Sequence, residues 1–299
     1  MRCSFRSVFF YLLVASMTWV PLAGRAQPDA AILWKVTSAE LSEPSYLLGT
    51  YHLLTDSYFH TLSEAREPFA QASAIVVETV IDSSRISGLA GHMMMPGQKL
   101  SRLLSAADFE RVSDELARVS GMQLAQLDMM KPATVAILIT MGYAQLAIRE
   151  TLRKYPGNPM DYHVAATAKR LGKTVTQLET MEEQFAILYN TFSIEEQARQ
   201  LVALVDYKEL AAAAQGKLLD LYLARDIHGL HAYAEQMPED FGDSDFLLKN
   251  RNEKWMRVLP ALMKRESQFI AVGALHLPGP DGLIARLQQA GFQVVPVTP

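Results

Sequence analysis

Cysteine is nearly absent: Cys3 is the single one among 299 residues. It falls in a segment that reads as a leader, so the processed chain has no disulfide, no thiolate metal ligand and no cysteine nucleophile. An excess of positive charge is also missing, with 28 Lys and Arg against 32 Asp and Glu. Such a surface does not attract nucleic-acid phosphates. Four familiar motifs are lacking: the Gly-x-Ser-x-Gly elbow, His-Glu-x-x-His, the phosphate loop and Gly-x-Gly-x-x-Gly. Standard serine hydrolases, zincins, P-loop NTPases and dinucleotide oxidoreductases are thereby disfavoured.

Long apolar runs are few. The first spans Val8 to Val20, preceded by Arg2 and Arg6 and followed by Pro21, with Gly24 and Ala26 at small-residue positions. This order predicts a secretory signal over residues 1–26, cleaved after Ala26, and a periplasmic or secreted protein. Removal takes away three arginines and no acid, so the formal charge moves from −4 to −7. The second run, Ala133 to Ile148, is uncharged but interrupted by Thr134, Thr140, Gly142, Tyr143 and Gln145. It is short for a membrane span and predicts a buried core helix. No membrane association is expected after signal cleavage.

What is present is ordinary for a globular chain, with 49% hydrophobic and 20% charged residues. Short apolar runs alternate with helical patterns and predict an α/β fold. Strands are expected at Tyr46–Gly49, Ala74–Glu78, Thr174–Leu178, Phe269–Gly273 and Phe292–Val297. Residues 83–99 read as an irregular loop. Ser193 with Glu196 reads as a capping box. The expectation is one domain over 27–299: a central, mostly parallel sheet built by the amino- and carboxyl-terminal parts, with a helical insertion at about 100–265.

The two ends contain a near-repeat, Gly49-Thr50-Tyr51-His52 and Gly273-Ala274-Leu275-His276. Each follows an apolar strand. The glycine would let the chain leave the strand at an unusual angle, and the histidine would stand at the carboxyl edge, where open α/β sheets bind ligands. Glu78 and Glu179 also sit at strand ends. If their strands are parallel neighbours, two His and two Glu gather on one rim. Such donors with water suit Zn²⁺, Mn²⁺ or Fe²⁺. The same groups could instead run metal-free acid–base chemistry, with His as base and Glu as orienter.

Other candidates are weighed beside bland alternatives. Arg251 would grip a substrate carboxylate or an oxyanion, or form a surface salt bridge. Asp161 is either a helix cap or a substrate-site residue, and His163 reads as exposed. Met94, within His92–Met95, suggests a flexible apolar loop bordering a substrate groove more than a copper site. His228 and His231 share a helix face in charged surroundings, which reads as a solvated face.

Taken together, Tyr-Leu-Leu-Gly-Thr-Tyr-His (46–52), Val-Val-Glu (76–78), Leu-Glu-Thr-Met-Glu-Glu-Gln (178–184), Arg251-Asn252 and Val-Gly-Ala-Leu-His-Leu-Pro-Gly-Pro-Asp-Gly-Leu (272–283) resemble the TraB/PrgY/GumN superfamily, which includes the Tiki proteases. The resemblance implies an α/β core related to the erythromycin-esterase and haem-binding ChaN-like folds. In the Tiki branch it implies metal-dependent peptide cleavage. By position it implies a centre of His52, Glu78 and His276, with Arg251 nearby.

The expectation is therefore an exported metal-dependent hydrolase acting on a peptide or small-molecule substrate. His52, Glu78 and His276 would hold Mn²⁺, Zn²⁺ or Fe²⁺, and Glu179 or Glu78 would take a proton from water. Arg251 would serve the oxyanion, and Arg251, Met94 and Asp161 would contact substrate. The alternative is a non-catalytic periplasmic metal- or haem-binding protein using the same histidines.

Overall fold

The structure is a computed structural model that describes residues 30–237 and 247–299; the expected signal segment lies outside them. Six strands form one sheet: β1 (Leu33–Thr37), β2 (Ser45–Thr50), β3 (Ala74–Val77), β4 (Thr174–Gln177), β5 (Gln268–Gly273) and β6 (Gln293–Val297). Their order is β4-β3-β5-β2-β1-β6. β4, β3, β5 and β2 are mutually parallel, and β1 pairs antiparallel with β2 and β6. The protein is thus α/β with a mostly parallel sheet. β3 and β5 are buried along their whole length, as expected of parallel strands covered on both faces.

The topology sets up the site. β5 comes late in the chain yet inserts between β2 and β3. In register, Thr50 lies beside Gly273 and Val77 beside Ala271. The residues following β2, β3 and β5 therefore leave the sheet at one edge, side by side. β4 adds the residue after Leu178 to that edge, because it pairs parallel with β3.

Between β3 and β5 the chain is mostly helical, returning to the sheet once as β4. Helices Ala106–Ser120, Pro132–Ala147 and Ile194–Asp206 pack on one another. They enclose a second apolar cluster that includes Val112, Leu116, Val135, Ile139, Tyr143 and Leu201. Local signals explain their ends: Ser105 accepts from the Asp108 N–H, Gly121 closes the first helix at φ 74°, and Pro132 opens the next at its first turn. The uncharged run at 133–148 is this second helix. No helix among the described residues is long and apolar enough to cross a membrane.

Two local expectations are corrected, and one strand was not anticipated. Leu33–Thr37 is a strand that the pattern did not reveal. Residues 86–93 are helical rather than irregular, despite Gly88 and Gly91. The reciprocal capping box belongs to Thr180 and Glu183, at the helix Met181–Asn190; Ser193 accepts from the Glu196 N–H without that return bond.

Candidate functional site

Gly49 and Gly273 are needed for close approach, not for an unusual backbone angle. Neither has a positive φ. A Cβ on Gly49 would stand 3.0 Å from the Ala274 Cα. A Cβ on Gly273 would stand 3.2 Å from Glu78 Oε1, 3.3 Å from His52 Nε2 and 3.6 Å from His276 Cδ2. The space above Gly273 is thus where both histidines and Glu78 converge. The Gly273 N–H itself donates to Glu78 Oε1 at 2.6 Å.

His276 is buried behind this point, with its ring centroid 4.3 Å from that of Trp255. Its tautomer follows from its neighbour. Asn252 Nδ2 donates to the carbonyls of His276 and Asp281, so Asn252 Oδ1 is the acceptor 2.7 Å from His276 Nδ1. Nδ1 therefore carries the hydrogen, and Nε2 keeps its lone pair, to which Arg251 Nη1 donates at 3.1 Å. Burial, together with the charges of Arg251 and His52, outweighs Glu78 and lowers the His276 pKa to about 3. His276 is neutral at pH 7.

Arg251 is the hub. Its Nη2 donates to Glu78 Oε2 at 2.6 Å and to Glu179 Oε2 at 2.8 Å, and its Nε to Glu179 at 3.0 Å. The guanidinium also lies over the Trp255 ring, 4.8 Å from the centroid. The Glu179 side chain is fully buried, so this pairing compensates a charge with no other escape. Gln184 Nε2 adds a donor to Glu78 at 3.3 Å. Burial pushes the Glu78 carboxyl up, but the charges of His276, His52 and Arg251 and the Gly273 N–H hold it down, to about 2. Since His276 is neutral near pH 7, Arg251 and His52 supply the opposing charge there.

His52 differs from its counterpart. Its side chain is 64% exposed and faces open space. Nδ1 donates to Asp161 Oδ2 at 2.8 Å, and Asp161 Oδ1 accepts from the Thr50 hydroxyl at 2.5 Å. The surrounding protein mass opposes a charge on His52, but the hydrogen bond and charge of Asp161, aided by Glu78, raise its pKa above the usual imidazole value. Solvent at the exposed ring edge moderates this attraction. Asp161 is thus no helix cap: it sits in the first turn of Met160–Arg170 and orients His52.

These groups open onto a cleft of about 700 Å³. His52, Glu78, Asp161, Gln184 and Arg251 line it, with Tyr162, Ala165, Ala166, Phe185 and Leu188 among its apolar wall. His276 and Glu179 do not reach its lining, being screened behind Arg251. Met94 does not line it either. It bridges to Met130 and borders a separate hollow with Lys131 and Tyr189. His163 is largely shielded, its ring centroid 5.0 Å from that of His60. His92 contacts Asn190. His228 is exposed, while His231 packs over Gly279. Asn252 and Gln184 were not singled out as site residues, although both fall within the segments Arg251-Asn252 and 178–184 that carry the family resemblance.

Two imidazoles and a carboxylate are donors suited to a divalent ion, and a neutral His276 held through Nδ1 by Asn252 is oriented as ligating histidines are. In this arrangement Arg251 occupies the same lone pair. Among the described residues, no group of three His, Cys, Asp or Glu side chains is arranged to hold a metal.

The fold and site define an α/β protein with a polar centre at the carboxyl edge of its sheet, fed by two Gly-x-x-His segments. The chain belongs to the TraB/PrgY/gumN family, whose pattern matches residues 32–296. No curated protein and no solved structure matches it.

Proposed function

We propose that the protein is an exported hydrolase that uses water as its nucleophile at the His52–Glu78–Arg251 centre. The observation that carries this is the convergence of His52 Nε2 and Glu78 Oε1 over Gly273, at the head of a ligand-sized cleft. Export is supported by the amino-terminal signal pattern of residues 1–26.

The environments of the two groups suggest their roles. Glu78 is ionised and opens to the cleft, so it accepts the proton from water. Glu179, the alternative base, is buried beneath Arg251 and holds that guanidinium in place instead. His52 carries a proton in the resting protein and donates it to the leaving group. Asp161 keeps its Nδ1–H fixed, so Nε2 is the end presented to substrate. Arg251 places a positive charge beside the carbonyl and stabilises the developing oxyanion.

A divalent ion, Mn²⁺, Zn²⁺ or Fe²⁺, would be held by His52, Glu78 and His276, where it would polarise the carbonyl and lower the pKa of bound water. The Arg251–His276 hydrogen bond favours a second, metal-free version in which Arg251 supplies the positive charge. Assaying a peptide library with protein as purified, after chelation and after metal add-back separates the two. Loss and recovery of turnover supports the ion; full turnover in the chelated protein removes it. The alternative reading, a non-catalytic metal- or haem-binding protein, would rely on His52, the histidine of the pair that lines the cleft.

A further inference from the structure

Five consecutive residues, Val77 to Ile81, line the cleft. Side chains of an extended chain alternate between two faces, so a run of neighbours along one wall turns its backbone edge to the cavity. β3 ends at Val77, the chain bends at Glu78, and it runs to Asp82 without turn or helix.

One edge of this run is already used. The Leu178 N–H is shared between the Val77 and Glu78 carbonyls across the bend, Glu179 N–H donates to the Glu78 carbonyl, Val80 N–H donates to Gln177 Oε1 at 3.2 Å, and Asp82 N–H meets Met181 Sδ at 3.3 Å. All these partners lie on the β4 side. In an extended chain the N–H and C=O of successive residues point to opposite sides. Beyond the bend, Thr79 and Ile81 alternate with Val80 and Asp82, whose N–H groups turn to β4, and both line the cleft. Among the described residues, neither backbone makes a hydrogen bond. The Thr79 hydroxyl is also shielded from solvent without a partner.

We infer that Thr79–Ile81 is a backbone-reading subsite, an open β-edge that takes the extended main chain of a peptide as an added strand beside the catalytic groups. This rests on the hydrolase proposal and gives its site a substrate geometry. Main-chain pairing supplies affinity in such recognition, and pockets for alternate side chains supply selectivity. Ala165 and Ala166 on one helix leave room for bulky side chains, and Phe185 and Leu188 on the facing helix offer an apolar surface. The preferred peptide carries large apolar side chains on one row.

The test uses an acetylated, amidated hexapeptide of alternating leucine and alanine, plus two versions N-methylated on alternate amides in opposite frames. Binding is titrated on the full chain, and amide exchange is followed residue by residue. We expect the Thr79 and Ile81 amides to become protected. One methylated frame should bind weaker by roughly threefold to tenfold per lost hydrogen bond, with the other frame unaffected. Absence of peptide binding, equal binding by both frames, or unchanged exchange at Thr79 and Ile81 would overturn the subsite. The outcomes separate from those of the hydrolase proposal. Binding without turnover keeps the subsite and removes the hydrolase; turnover of a non-peptide ester without peptide binding does the reverse.

Discussion

Arg251 Nη1 stands 3.1 Å from His276 Nε2, opposite the Asn252 contact that fixes the tautomer of that ring. The two Gly-x-x-His segments are therefore not equivalent. One histidine stands at the cleft mouth, and the other braces the arginine from behind.

Removing the brace's partner should be costly. Arg251→Ala leaves Glu78 and Glu179 without their guanidinium, and Glu179 has no route to solvent. The expected loss is about 3–5 kcal/mol of stability, read by urea denaturation. Adding Glu179→Gln to Arg251→Ala should recover part of it. A single-variant loss below about 1 kcal/mol would show that the buried charges are compensated elsewhere.

The depressed pKa of His276 makes stability depend on pH. The folded value, about 3, lies below the unfolded value of 6.5, so the unfolded chain binds the extra proton between them. The His276 contribution is full above pH 6.5 and falls as the pH drops, by up to about 1.4 kcal/mol per pH unit for one proton, whereas His52, whose pKa is raised in the fold, loses its contribution as the pH rises above 6.5. Glu78 adds a loss of the same sign only below its unfolded value of 4.5, extending towards its folded value of about 2. Denaturation at pH 7, 6 and 5 should show a slope that shrinks in His276→Gln. His163 also has a lowered pKa, which is why the comparison with the variant matters. An identical slope in both proteins would contradict the assignment.

Asp161→Asn should lower the His52 pKa, because the carboxylate that favours the imidazolium is gone. Titration of the His52 ring signals by NMR checks this without any substrate. In turnover, the alkaline limb set by His52 as acid should move to lower pH, and kcat should fall by roughly 10²–10⁴. An unmoved His52 titration would remove Asp161 as its positioning residue.

Gly273→Ala should impair function more than folding. Its backbone, at φ −53° and ψ 136°, is open to alanine, but the new Cβ would crowd Glu78 Oε1 and His52 Nε2. We expect turnover to drop sharply while the urea midpoint changes little. Wild-type turnover would mean that the space above Gly273 is not where the reaction occurs.

The rim itself was legible, because glycine and histidine recur at matching distances after two apolar strands and a glutamate closes each of two others. β1 was not legible. Its five residues, Leu-Trp-Lys-Val-Thr, are too few for a clear alternation, and Lys35 interrupts the apolar run that marks a buried strand. The inequality of the two histidines was also hidden. It depends on Asn252 and Trp255, which reach His276 only after the chain folds back from a different helix. Asp161 was visible as a candidate, but its partner lies 109 residues away, so no local pattern joins them.

The most direct measurement of the central claim is hydrolysis of a peptide library by the wild-type protein beside His52→Ala and His276→Ala, each shown to be folded by circular dichroism. One hydrolytic centre over Gly273 requires wild-type cleavage, its abolition in His52→Ala, where the proton donor is gone, and a severe fall in His276→Ala, where Arg251 loses its brace. Undiminished cleavage by both folded variants would contradict it.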